Sequence, residues 1–184
     1  MVATIDARLR SRDDAELVRR ARDGSREAAG ALFARHWPAA WRAALAVTGR
    51  RAAADDVAQD AFERAFAALG RFDEARPFAP WLHRIVVNRA LDLLRSERRL
   101  VRLEAIGNEA APQGPDAAED PRALTALAGL SPERRAVVVL RHLLGYLPPE
   151  IADILDVPVG TVHSRLARAL ADLRAALEDH DERT

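Results

Sequence analysis

The 184-residue sequence predicts an all-α protein of two small helical domains joined by a flexible linker. Two observations carry that prediction. Apolar residues recur at helical spacing in one segment after another, and no alternation of period two is sustained anywhere. Between the helical segments, Ile106 to Pro121 (IGNEAAPQGPDAAEDP) is rich in proline, glycine, alanine and acid and has no apolar periodicity, which reads as a linker. About ninety helical residues precede it and about sixty follow.

In the first unit, Asp14 to Arg22 reads as a helix, broken at Asp23-Gly24, with Ser25 placed as the N-cap of the next. That next helix is long, with Leu32, Phe33, Trp37, Trp41, Leu45 and Val47 as its buried side, and stops near Thr48-Gly49. A third runs from about Ala53 to Leu69, with Val57, Ala61, Phe62, Ala65, Phe66 and Leu69 on one face. Gly70 to Pro80 is expected to be a loop. A last helix, from about Trp81 to Arg99, buries Leu82, Ile85, Val86, Ala90, Leu91 and Leu94 and ends in the basic run Arg95-Ser96-Glu97-Arg98-Arg99. In the second unit Ser131-Pro132-Glu133 opens a helix as cap, first-turn proline and first-turn acid, and it continues through Val137, Val138, Leu140 and Leu144 to Gly145.

The stretch from Pro148 to Leu166 carries the chemistry most plainly. Pro149 suits a first helical turn, where its missing amide costs nothing. Ile151, Ile154 and Leu155 form one apolar face, and Ala152 is small where two helices cross. Asp156 ends the helix, because a short polar side chain tolerates the left-handed conformation of a tight turn. Pro158 and Gly160 start a second helix, in which Val162, Leu166, Ala169, Leu170 and Leu173 face inward. Thr161, His163, Ser164, Arg165 and Arg168 are left outside. This is the pattern of a helix-turn-helix, whose second helix enters the DNA major groove, where arginine meets guanine edges or phosphates. An ordinary helical hairpin with a charged, solvated face would share the same spacing.

Composition excludes other chemistry. Cysteine is absent, so there are no disulfides, thiolate metal sites or cysteine nucleophiles. The five histidines (36, 83, 142, 163 and 180) lack metal-ligand spacing, and no phosphate-binding glycine loop or paired nucleophile and base occurs. No metal or cofactor is expected, nor enzymatic activity. The N-terminus lacks the apolar core of a signal peptide and no run is long enough to span a membrane, so a soluble cytoplasmic protein without membrane insertion is expected. Net charge is zero, but residues 1–104 hold 20 Arg against 15 acids and residues 105–184 hold 8 against 13. Lysine is missing altogether. A neutral chain binds DNA weakly by itself, which points to a partner that supplies the remaining electrostatics.

Three blocks occur in order: Asp55-Asp56-Val57-Ala58-Gln59-Asp60-Ala61-Phe62, then Arg76-Pro77-Phe78-Ala79-Pro80-Trp81-Leu82-His83-Arg84-Ile85-Val86-Val87-Asn88, then Leu130-Ser131-Pro132-Glu133-Arg134-Arg135 ahead of the helix-turn-helix. Together they closely resemble the extracytoplasmic-function sigma factors, the compact group-4 members of the sigma-70 family. The resemblance implies an N-terminal tail (1–13), a region 2 domain (14–103), a linker (104–121), a region 4 domain (122–178) and a C-terminal tail (179–184). It also implies that the chain directs RNA polymerase core enzyme to promoters, with an anti-sigma factor as a regulator. Asp56, Gln59 and Asp60 would bind a coiled coil on the clamp of the beta-prime subunit. Acidic and amide side chains beside an apolar strip suit a basic helix, although Asp55 and Asp56 would also stabilise a helix N-terminus.

Phe72, Phe78 and Trp81 would offer stacking surfaces to the bases of an opened minus-ten element, or serve as core rings that anchor the loop. Asn88 stands where the family reads a base edge, with Arg84, Arg89, Arg95 and Arg98 towards the phosphates or, near a helix end, simply solvated. Thr161, His163, Ser164, Arg165 and Arg168 would read the minus-thirty-five element. Departures from the family pattern are His163 in place of a fixed cation, Leu147-Pro148-Pro149 at the start of the motif, and Asp156 where glycine is common. Two other readings compete. A DNA-binding regulator independent of polymerase would have no use for the Phe72–Trp81 loop, and a helical-bundle enzyme or ligand-binding protein would need a polar pocket.

Overall fold

A computed structural model describes the backbone of residues 13–104 and 121–181 and the side chains of 13–100 and 125–176. All regular structure among these residues is helical. The first unit comprises α1 (13–22), α2 (Arg26–Thr48), α3 (Arg51–Ala68), a short 3-10 turn at Leu69–Arg71 and α4 (Phe78–Glu104). The second comprises α5 (Pro121–Ala128), α6 (Pro132–Val138), a π-helical turn (Val139–Leu143), α7 (Pro148–Leu155) and α8 (Val159–Asp181).

Local signals explain most boundaries. The Ser25 hydroxyl accepts from the Ala28 amide at 3.2 Å, a cap worth about 1 kcal/mol. Gly49 ends α2 at φ 77°, where a side chain would strain, and returns its amide to the Leu45 carbonyl at 2.7 Å. Ser131 caps α6 with Pro132 in its first turn. Asp156 adopts φ 54°, ψ 52°, the left-handed turn expected between the helices of the motif.

Several expectations are corrected. The last helix of the first unit is longer at both ends than 81–99, since Pro80 falls in its first turn, where no intrahelical amide is needed. Helix α5 was not expected; its first residue, Pro121, was read as the end of the linker. The helix after Ser131 loses α-helical register at Val139 and finishes as a wide π turn, with Leu144 N bonded to Val139 O at 3.1 Å. Leu170 is 41 % exposed and Phe33 38 % exposed, so neither is an inward residue. Of the expected linker, residues 105–120 lie outside the described residues, as do residues 1–12 and 182–184.

In the first unit α2, α3 and α4 pack around Leu32, Phe62, Phe78, Leu82, Val86 and Val87, all buried. Helix α1 is fastened by a buried acid. Asp14 accepts from Arg35 Nη1 at 2.7 Å and lies 2.9 Å from His36 Nε2. Burial works to raise the Asp14 pKa, but His36 and Arg35 outweigh it and hold the carboxyl below its usual range. In the second unit Ile151, Ile154, Val162, Leu166 and Ala169 close α7 on α8.

The two units share one core rather than standing apart, with Leu130, Val137, Val139 and Leu140 of the second continuous with the buried residues of the first. Arg135 is the main polar tie. It is only 7 % exposed, donates to Val47 O of α2 at 2.6 Å, and also donates to Ala128 O (2.8 Å) and Leu130 O (3.2 Å). A cation at the carbonyl ends of two helices satisfies acceptors that the helices leave open. Burial, then the charge of Arg98, lowers the guanidinium pKa to about 10. A second tie joins His83 of α4 to Tyr146, whose hydroxyl lies 2.7 Å from Nδ1.

Candidate promoter and polymerase interface

The outward side of α3 is acidic. Asp55, Asp56, Gln59 and Glu63 are exposed; the Trp41 indole donates to Asp55 at 2.6 Å and the Gln59 amide to Glu63 at 3.1 Å. Asp56 has no partner among the described residues. Asp60 differs: it is half-buried and accepts from Arg64 at 2.9 Å and from Arg89 of α4. Burial pushes its pKa up, yet the two arginines prevail and keep the carboxyl below the ordinary range. Asp60 thus cross-braces α3 and α4 and takes up Arg89, which leaves that arginine less free to meet phosphates.

The segment before α4 is built on aromatic packing. Phe72 (7 % exposed) and Phe78 (2 % exposed) are core rings, 5.9 Å apart, and Trp81 lies over them at 4.7 and 5.6 Å. Only Trp81 keeps surface open to a base. Arg22, which sequence reasoning overlooked, braces this segment by donating to Phe72 O at 2.9 Å and to Glu74 at 2.7 Å. Along α4, Arg84 is exposed and Asn88 half-buried, one turn apart on one side; Asn88 makes no hydrogen bond to another described residue. Arg84 donates to Asp153 O of α7 at 3.3 Å.

On α8, Val162, Leu166 and Ala169 turn inward while His163, Ser164 and Arg168 are exposed and Thr161 and Arg165 half-buried. The Ser164 hydroxyl donates to Thr161 O at 3.0 Å, which leaves its lone pairs outward. Arg165 and Arg168 form no ion pair with a described residue. The structure therefore brings the α8 residues onto one face. It separates Asp56 and Gln59 from Asp60 by environment, and Trp81 from Phe72 and Phe78 by exposure. Sequence reasoning also missed Arg135, His83 and Tyr146; the available signal was a charged residue on an apolar stripe, Arg135 ahead of Ala136 to Leu140.

Both helical units match known protein families. The sigma-70 region 2 model matches residues 32–100, and the sigma-70 region 4 model matches residues 122–173. RNA polymerase sigma factor CnrH of Cupriavidus metallidurans is 36% identical, over 92% of this chain and 97% of its own length. The extracytoplasmic-function sigma factor SigM of Mycobacterium tuberculosis is 38% identical, over 90% and 85%. The solved structure of CnrH with the cytosolic domain of CnrY superposes with a TM-score of 0.70, covering 91% of this chain and 98% of that one. The chain belongs to the extracytoplasmic-function sigma factors of the sigma-70 family. It directs RNA polymerase to promoters to start transcription, and the polymerase-independent regulator is not favoured, because both units match sigma regions rather than one alone.

Proposed function

We propose that the chain acts as a dissociable, non-catalytic initiation subunit whose contacts are divided among three faces. Asp56 and Gln59 on α3 dock on a basic coiled coil of the polymerase clamp, with Asp60 as an internal brace behind them. Residues 14–103 recognise and open the minus-ten element: Trp81 stacks on an extruded base, Asn88 reads a base edge and Arg84 meets the backbone. Phe72 and Phe78 support Trp81 from within the core. Residues 122–178 read the minus-thirty-five element, with Arg165 and Arg168 on phosphates or guanines and Thr161, His163 and Ser164 beside them. His163 supplies a weaker, pH-sensitive contact than a fixed cation would.

The observation that carries this reading is the partition of exposed charge: unpaired carboxylate on α3, unpaired guanidinium on α8. The reading places the chain in the cytoplasm with the polymerase, and among the described residues no helix is long and apolar enough to cross a membrane. By analogy with CnrH, whose solved structure is a complex with the cytosolic domain of CnrY, an anti-sigma protein is the expected regulator. The test is a pull-down of core polymerase by Asp56→Ala/Gln59→Ala. Retention should fall at least tenfold, the loss of about 1.4 kcal/mol, with unchanged helical content. Retention equal to the unmodified chain would remove the clamp-docking face.

A further inference from the structure

We propose that Arg22, at the end of α1, is a positioning residue for the minus-ten contact: it fixes the segment ahead of α4 so that Trp81 offers an extruded base a ready-made stacking site. The inference rests on the functional reading above. Residues 72–77 join the 3-10 turn to α4 and form no helix or strand of their own. Local bonds fold them once, from Ala75 N to the Asp73 carboxylate and from Arg76 N to Asp73 O, both at 3.0 Å. Bonds of that kind shape a turn without placing it against the rest of the molecule. Arg22 does place it. Its Nη2 donates to Phe72 O at 2.9 Å and to Leu69 O at 3.3 Å, while Nη1 donates to the Glu74 carboxylate at 2.7 Å. Arg19, one turn earlier, lies 3.8 Å from the other oxygen of Glu74. The planar fork thus grips two backbone carbonyls and one side chain together, which a point charge could not do.

The post that carries this fork is itself held. Val18 of α1 is fully buried, and Asp14 fastens the helix to Arg35 and His36 of α2. Gly24, at φ 94°, turns the chain back into α2 directly after Arg22. On the far side of the gripped backbone, the Phe72 ring enters the core and Trp81 lies over it at 4.7 Å. A continuous line of contact therefore runs from Arg22 through the Phe72 backbone and ring to Trp81. Arg22 and Glu74 are each 33 % exposed, and a pair so placed contributes little to overall stability. Its effect falls on the segment rather than on the fold. A stacking site held in one arrangement binds with its full affinity, whereas one populated in a tenth of the molecules binds about tenfold more weakly.

The test uses the full chain in two settings. The absence of native cysteine allows one nitroxide label at Ala75→Cys, an exposed position within the segment. Its electron paramagnetic resonance lines should be broad in the otherwise unmodified chain and sharpen in Arg22→Met and in Glu74→Ala; unchanged lines in Arg22→Met overturn the brace. With core polymerase, the probe is a single-stranded oligonucleotide of the non-template minus-ten segment from a promoter that the chain initiates from. Arg22→Met and Glu74→Ala should each bind it about tenfold more weakly. The double variant should bind no more weakly than Arg22→Met alone, because both changes break one contact. Arg22→Lys, which keeps the charge and the reach to Glu74 but not the fork, should fall between. If Arg22 met phosphates directly, Glu74→Ala would free it and tighten binding, and that result overturns the positioning role. An equal loss of core-polymerase retention in Arg22→Met also overturns it, since the effect would then lie in the fold. Absence of promoter-dependent initiation by the unmodified chain would fault the functional reading and leave the label to judge the brace.

Discussion

Replacing Arg135 with methionine tests how the two units are held together. The guanidinium is buried and donates to three carbonyls, Val47 O, Ala128 O and Leu130 O. Bonds from a charged donor contribute about 1.5–3 kcal/mol each, so three are worth roughly 5 kcal/mol at the lower limit. Against this, burial lowers the Arg135 pKa to about 10, a desolvation cost on the order of 3 kcal/mol that an apolar side chain does not bear. Arg135→Met should therefore destabilise the chain by about 2 kcal/mol or more, a substantial part of the total stability of a domain this size. The loss should be unequal, because the Val47 bond crosses between the units.

The sequence supplies the probes. All three tryptophans, Trp37, Trp41 and Trp81, lie in the first unit, while far-ultraviolet dichroism reports both units. In urea the two signals should coincide for the unmodified chain. In Arg135→Met the dichroism should begin to fall at lower urea than the fluorescence, as the second unit melts away from the first. A change below 0.5 kcal/mol with coincident transitions would refute the role assigned to Arg135.

Two further outcomes follow from individual groups. His83 has a pKa lowered to about 4, by burial first and then by the charge of His36, against about 6.5 when unfolded. Between these values the unfolded chain binds the extra proton, so the contribution is complete above pH 6.5 and is lost as pH falls towards 4, by about 3 kcal/mol in all. A urea series across that window should show the decline in the unmodified chain and a flatter profile in His83→Gln; parallel profiles would contradict it. Asp14, whose carboxyl is held low, adds its own loss only at still lower pH. At the turn of the motif, Asp156→Val places a β-branched residue at φ 54° and should cost about 1–2 kcal/mol, whereas Asp156→Gly should cost nothing; equal thermal midpoints for the two would exclude the strain argument.

The helices were legible because their ends are written in local chemistry: Ser25 and Ser131 as caps, Gly49 and Asp156 as left-handed stops. These need no knowledge of the rest of the chain. The faces were less so. Leu170 sits at the edge of the apolar stripe of α8 and is exposed, while Ala169 is buried and Leu173, further along, still packs against the core; periodicity does not say how wide a stripe the neighbouring helices cover. Phe72 and Phe78 have the ring chemistry for base stacking, and only three-dimensional packing shows that their surface is spent on the core. The joint between the units was hidden for a different reason. It is made by Arg135, His83 and Tyr146, polar groups whose partners lie far away in the sequence, and in the one-dimensional pattern a buried arginine looks like a solvated one. The same holds for Asp60 and Arg89, which the sequence assigns to two outside partners and the structure pairs with each other.

The measurement closest to the central claim is single-round transcription with purified core polymerase, this chain and a library of promoter fragments. A discrete start site should appear only when the chain is present. It should weaken when either the minus-ten or the minus-thirty-five segment is scrambled, and disappear with Asp56→Ala/Gln59→Ala at concentrations where the unmodified chain saturates. Tight binding of the same duplexes by the chain alone, with no start site when core enzyme is added, would contradict the account.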